Sequence, residues 1–196
     1  MSGKPVLVVI LSGKRKSGKD FVAELIEKRY RNGLAVIHIS KPIKQKYAEL
    51  HGAAFDELMK ASEYKEQFRL DMVKWSEKEK LDRNDQAYFL KLAIELEKAQ
   101  ERKVWLVADA RRPADIGYFD SPQFDSVEII KVRIQATDET RKSRGWMFTK
   151  NIDDATTECG LDNFTDWTHV IDNNGTCDEL VERLNVIFDK IDQALT

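Results

Sequence analysis

At 196 residues, 42% hydrophobic and 34% charged, the chain has room for one compact domain with a full core. A formal net charge of −2 argues against a general nucleic-acid binder, so any anion site has to be a local concentration of lysine and arginine. Cys159 and Cys177 alone make neither a disulfide framework nor a zinc site, which suits a reduced, intracellular setting, and no apolar run is long enough for a signal-peptide core or a membrane span.

In chain order, Val6 to Leu11 is a continuous apolar run, as expected of a strand covered on both faces. Phe21, Val22, Leu25 and Ile26 then recur at helical spacing until Asn32-Gly33 stops the helix. Between them lies Gly13-Lys14-Arg15-Lys16-Ser17-Gly18-Lys19-Asp20, which meets every position but the last of the phosphate-binding pattern G-x-x-x-x-G-K-[ST]. The glycines let backbone N–H groups turn toward phosphate oxygens, the helix adds its positive end, and Lys19 is placed to reach the β- and γ-phosphates. Asp20 stands where a hydroxyl is expected; beside a triphosphate a carboxylate is tolerable only with a cation between them, so it is assigned to Mg²⁺. Lys14, Arg15 and Lys16 add charge that suits an acceptor carrying its own phosphate.

Val36 to Ile39 reads as a second strand, and Pro42 as a break before a polar, helix-favouring stretch from about 43 to 102. Within it Tyr64, Phe68, Met72 and Trp75 form an apolar seam, with Lys65 and Arg69 on an adjoining face that is either an anion-binding wall or a solvated surface. Val104 to Ala108 is a central strand ended by Asp109. Ligands of open α/β sheets bind beyond the carboxyl ends of the strands, so Asp109, Arg111 and Arg112 should share a rim with the loop at 13–20. Asp109 then reads either as a second metal-supporting carboxylate or as a cap after the strand. Val127 to Ile134 is a further strand. Thr137 caps a helix bearing Arg141 and Arg144 three residues apart, before Gly145. Residues 149–167 are polar and unpatterned, as expected of a mobile loop whose Asp153, Asp154 and Glu158 either latch onto lid cations or, the preferred reading, are solvated. His169 to Asp172 is the last strand; Thr176 and Glu179 form a capping box for a helix burying Leu180, Leu184, Ile187, Phe188 and Ile191. Strands alternating with helices predict an α/β fold of three layers around a parallel sheet.

Beyond the loop, Tyr64-Lys-Glu with Phe68-Arg69, Trp105-Leu-Val with Asp109 and Arg111-Arg112, Arg144-Gly-Trp146, and Glu158-Cys-Gly-Leu-Asp-Asn-Phe164 together resemble the animal-type phosphomevalonate kinases. The resemblance implies a nucleoside-monophosphate-kinase-like P-loop kinase fold over 1–196, with a helical acceptor-binding region at about 43–102 and a mobile lid with its adjoining loop at about 137–166. It implies transfer of the ATP γ-phosphoryl group to 5-phosphomevalonate, giving 5-diphosphomevalonate and ADP. It also implies Mg²⁺ dependence and a cytosolic, monomeric enzyme acting on a small phosphorylated hydroxy acid, with no nucleic-acid or membrane partner. Some members end in a tripeptide like a peroxisomal address, which Ala194-Leu195-Thr196 does not match.

The residues and the resemblance together assign Gly13 to Asp20 to ATP, Lys19 and Lys16 to the transferred group, and Arg111 and Arg112 to the acceptor. Lys65 and Arg69 form the wall of the acceptor site, and Arg141 and Arg144 close on the phosphates as a lid. By resemblance alone, Asn173 contacts nucleotide and Asn174 substrate. A nucleoside or deoxynucleoside monophosphate kinase is the competing reading, since it needs the same loop, arginines and lid. A guanine-nucleotide switch is disfavoured because no Asn-Lys-x-Asp occurs.

Overall fold

The structure is a computed structural model describing residues 3–60 and 62–196. Five strands, β1 (Leu7–Ser12), β2 (Leu34–Ile37), β3 (Val104–Ala110), β4 (Glu128–Gln135) and β5 (His169–Asp172), form an all-parallel sheet in the order β2-β3-β1-β4-β5. Alternation along β1 sends Leu7, Val9 and Leu11 to one face and Val8 and Ile10 to the other, and all are buried because helices cover both sides. On the first face lie α1 (Lys19–Tyr30), through Val22 and Ile26, and the C-terminal helix, through Leu184 and Ile187. The second face takes α5 (Tyr88–Leu96), through Phe89 and Leu90. This is the three-layer α/β arrangement expected of the sequence.

Between β2 and β3 the chain is helical: α2 (Ser40–His51), α3 (Phe55–Met59), α4 (Glu63–Asp82) and α5. Pro42 does not break the pattern, a correction to the sequence reading. It lies in the first turn of α2, where its missing N–H would have had no intrahelical partner. The strand expected at 36–39 starts earlier, at Leu34, in register with Val104 of β3. The seam on α4 packs as predicted: Tyr64, Phe68, Met72 and Trp75 meet Tyr47 and Ala48 of α2 and Leu58 of α3.

After β3 come α6 (Pro113–Gly117), α7 (Asp138–Ser143), α8 (Thr156–Cys159) and α9 (Cys177–Leu195). Thr137 caps α7 by accepting from Thr140 N, and the Thr176–Glu179 capping box opens α9, both as anticipated. The stretch 149–167 differs from the loop expected. It contains α8, and Ile152, Asp153, Glu158 and Leu161 are buried, Leu161 in the core under β3. Polar composition hid these anchors because they are scattered through a polar stretch and no periodicity marks them.

β1 sits where strand order reverses, flanked by β3 and β4. The loop leaving its carboxyl end therefore opens into the crevice where α/β sheets take ligands.

Candidate active site

The loop at 13–20 has the backbone of an anion cradle. Lys16 (φ 61°) and Gly18 (φ 94°) are left-handed, and α1 starts at Gly18 with no side chain capping its amides, leaving them for an anion. Gly13 is needed for space as well, since a Cβ there would come within 2.7 Å of the Ile134 carbonyl. The buried Ser17 hydroxyl has no hydrogen-bond partner among the described residues. Lys19 is 4% exposed, its Nζ donating to the Ala108 carbonyl (3.1 Å) and to Asp20, whose own side chain is 92% exposed. Desolvation opposes ionisation of Asp20, but the Lys19 ammonium outweighs it and holds the carboxyl below its ordinary value.

A cavity of about 490 Å³ runs from this loop to α4 and the end of β3. Ten lysine and arginine side chains line it against three carboxylates, Asp20, Glu66 and Glu158, so it suits two anionic ligands better than one. It gathers Lys16, Lys19, Asp20, Lys65, Arg69, Arg111, Arg112 and Arg144 in one place, as the sequence reading required.

Arg111 and Arg112 follow β3, and their backbone is fixed by the buried Asp115, whose Oδ2 accepts from both amides at 2.9 Å. Arg112 pairs with Glu77 of α4, and Arg69 forms a two-pronged pair with Glu66 on its own helix at 2.7 and 2.6 Å. Both cations thus have local counterions that an incoming anion must replace or share.

Lys44 was missed by sequence reasoning. It is 9% exposed, and burial together with the nearby Lys65 charge pushes its pKa down to about 8. A signal existed: Lys44 lies one turn before Tyr47 on the face of α2 that enters the core, where a lysine without a function is costly.

Asp109 is 7% exposed, and its oxygens accept from Ile39 N (2.7 Å) and Ser40 N (3.1 Å), tying the end of β3 to the start of α2. Burial opposes its charge, but the positive charges of Lys19, His38 and Arg111 and a hydrogen bond with Ser40 lower its pKa overall. The capping alternative fits this geometry better than direct metal ligation, although the cap reaches across to α2 rather than closing a local turn.

The arginines expected in a lid grip the loop itself. Arg141 Nε donates to the Arg15 carbonyl (2.8 Å), with its guanidinium over the Trp146 ring (3.8 Å). Arg144 donates to the Ser17 carbonyl (3.2 Å) and the Asn173 carbonyl (2.8 Å). Asn173 Nδ2 donates to the Ser17 carbonyl (2.8 Å), and a Cβ on Gly18 would collide with it.

Asn174 is not brought to the acceptor cavity. Its Oδ1 accepts from Thr137 N (2.8 Å), and it borders a second cavity of about 470 Å³ with Lys14, Ser17 and Arg141. Arg133, unremarked in the sequence because it sits inside the apolar β4 run, is 7% exposed and donates to Ser12 Oγ (3.0 Å) and Asp162 (3.1 Å). Asp162 also pairs with Lys14 (2.7 Å). Asp153 pairs with Arg15 at 2.9 Å and is 8% exposed, so the expectation that these acids are solvated is corrected for Asp153 and Glu158.

A parallel sheet with a phosphate-cradling loop at its switch point, opening on a cationic cavity, defines a P-loop kinase fold. The crystal structure of TT1252 from Thermus thermophilus shares the fold, with a TM-score of 0.53 and 16% identity over 95% of this chain and 98% of that one. The family model for phosphomevalonate kinase matches residues 11–126, and a phosphomevalonate kinase from Drosophila melanogaster is 34% identical over 186 residues, 94% of this chain and 96% of that protein. The chain belongs to the phosphomevalonate kinase family, ATP-dependent enzymes that phosphorylate phosphomevalonate in the mevalonate pathway. No helix among the described residues is long and apolar enough to cross a membrane.

Proposed function

We propose that the two anions share the cationic cavity: nucleotide over the loop at 13–20, acceptor between α4, Lys44 and Arg111. The observation that carries this is the surplus of ten cations over three carboxylates in one cavity reaching the loop. Phosphoryl transfer to a phosphate brings two anions together, and the protein's part is to align them and offset their repulsion. In this reading Lys19 and Lys16 stabilise the transferred group, and Arg111, Arg112, Lys44, Lys65 and Arg69 hold the acceptor's phosphate and carboxylate. Arg141, Arg144 and Asn173 keep the loop in its phosphate-binding shape. Residues 43–102 serve as the acceptor region, and 137–166 as a cover held on the loop through Arg141, Arg144, Asp153 and Glu158.

Mg²⁺ fits the donors present. Asp20 is an exposed hard oxygen ligand at the loop, and Mg²⁺ is commonly held by one or two carboxylates plus substrate phosphates. Asp109, committed to two amides, supports from behind. When bound at Asp20, the ion would offset phosphate charge during transfer. A cytosolic, monomeric enzyme is supported by the family likeness alone. A coupled ADP-release assay tests the acceptor assignment: turnover should saturate with 5-phosphomevalonate, and turnover with a nucleoside monophosphate instead would overturn it.

Lys44 supplies a pH prediction. Its folded pKa, about 8, lies below the unfolded value, so the native state binds fewer protons than the unfolded state from about pH 8 to 10.5. Stability therefore rises with pH through that window, and the deficit, at most about 3 kcal/mol, is fully present below it. Lys44→Met should raise the thermal midpoint at pH 7 yet weaken acceptor binding. The acceptor KM of the unaltered chain should climb above pH 8, and in the variant it should not. A variant less stable at pH 7 with an unchanged pH profile refutes both assignments.

A further inference from the structure

Glu158 is 7% exposed, on the four-residue helix α8, and it reaches both halves of the site. Its Oε2 accepts from the backbone amide of Arg15 in the loop (3.2 Å), and its Oε1 pairs with Nη1 of Arg111. Arg111 Nη1 also donates to the Thr157 carbonyl (3.4 Å), while Nε and Nη2 have no hydrogen-bond partner among the described residues. One edge of the guanidinium is thus held by α8, and the other is left for the cavity that Arg111 lines.

The seat of α8 is tight. A Cβ on Gly160 would lie 2.9 Å from the Arg111 carbonyl and 2.6 Å from that of Thr156, so this segment approaches the Arg111 backbone at a distance only glycine allows. Leu161 is 1% exposed in the core, and Asp162 fastens the segment's far side to Lys14 and Arg133. A carboxylate mounted this rigidly fixes the direction of the guanidinium it holds, and one that also binds the loop fixes its distance from the loop.

We propose that Glu158 is a positioning residue for phosphoryl transfer: it clamps Arg111 to the nucleotide loop and turns the free edge of the guanidinium toward the acceptor phosphate. The inference rests on Arg111 serving the acceptor and the loop serving ATP. It accounts for the acid in Glu-Cys-Gly-Leu-Asp-Asn-Phe, which the chemistry of the reaction alone does not require.

The test is steady-state kinetics on the full chain with ATP and 5-phosphomevalonate. Glu158→Gln keeps shape and removes charge, and should raise the acceptor KM and lower kcat by about tenfold each while leaving the ATP KM within about threefold. Glu158→Asp keeps charge but loses reach, and should fall between the two. Acceptor KM and kcat within about twofold of the unaltered chain, or equal losses for both substrates, would overturn the proposal. So would failure of both variants to fold, which would make the contact structural. If the unaltered chain does not saturate with 5-phosphomevalonate, the underlying site assignment fails instead, and the two failures are told apart in the same assay.

Discussion

Lys19→Met should lower kcat by about a thousandfold or more while leaving the fold intact. A single preorganised donor to developing charge is worth roughly 10²–10³ in rate, and a full positive charge on a transferring phosphoryl group as much as about 10³–10⁵. Lys19 is 4% exposed and held in place by the Ala108 carbonyl and Asp20, so its charge needs little reorganisation during transfer. The structural cost of the change is limited, because methionine fills the lysine stem and Asp20 is exposed enough to be solvated once unpaired. Asp109 loses one of the charges lowering its pKa but keeps the Ile39 and Ser40 amides that anchor α2. A thermal midpoint within a few degrees of the unaltered chain, together with retained ATP binding by calorimetry, would show the loss to be chemical. Turnover within tenfold of normal would refute the loop assignment.

What the sequence disclosed and what it withheld divide along the range of the interactions. The β1 run, the loop and the start of α1 could be read because each depends on residues within a few positions, and the Thr176–Glu179 box for the same reason. Pro42 misled because a proline stops a helix interior but is at home in a first turn, and where α2 begins is set by Asp109, about seventy positions away. The latch reading for Glu158 could not be preferred, since its partners Arg15 and Arg111 lie 143 and 47 residues away and no local pattern names them. Arg69 was assigned a wall without its Glu66 partner, although the three-residue spacing was visible. Asn174 was placed by resemblance, and only the fold could show that it faces Thr137 and the second cavity.

Arg111→Met should weaken the acceptor far more than the nucleotide. Two charge-assisted bonds from the free guanidinium edge, at about 1.5–3 kcal/mol each, correspond to roughly 10²–10⁴-fold in kcat/KM for the acceptor. Among the described residues the Arg111 side chain hydrogen-bonds Glu158 and Thr157 rather than the loop, and reaches Asp20 only through charge, so the ATP KM should move by only a few fold. The same variant leaves the buried Glu158 carboxylate with the Arg15 amide but no cation, and breaking a partly buried pair from one side destabilises, so the thermal midpoint should fall as well. Adding Glu158→Gln to Arg111→Met should recover part of that stability by removing the stranded charge, yet restore no acceptor affinity. Equal losses in both Michaelis constants, or acceptor affinity recovered by the second change, would contradict the division of labour between the loop and the end of β3.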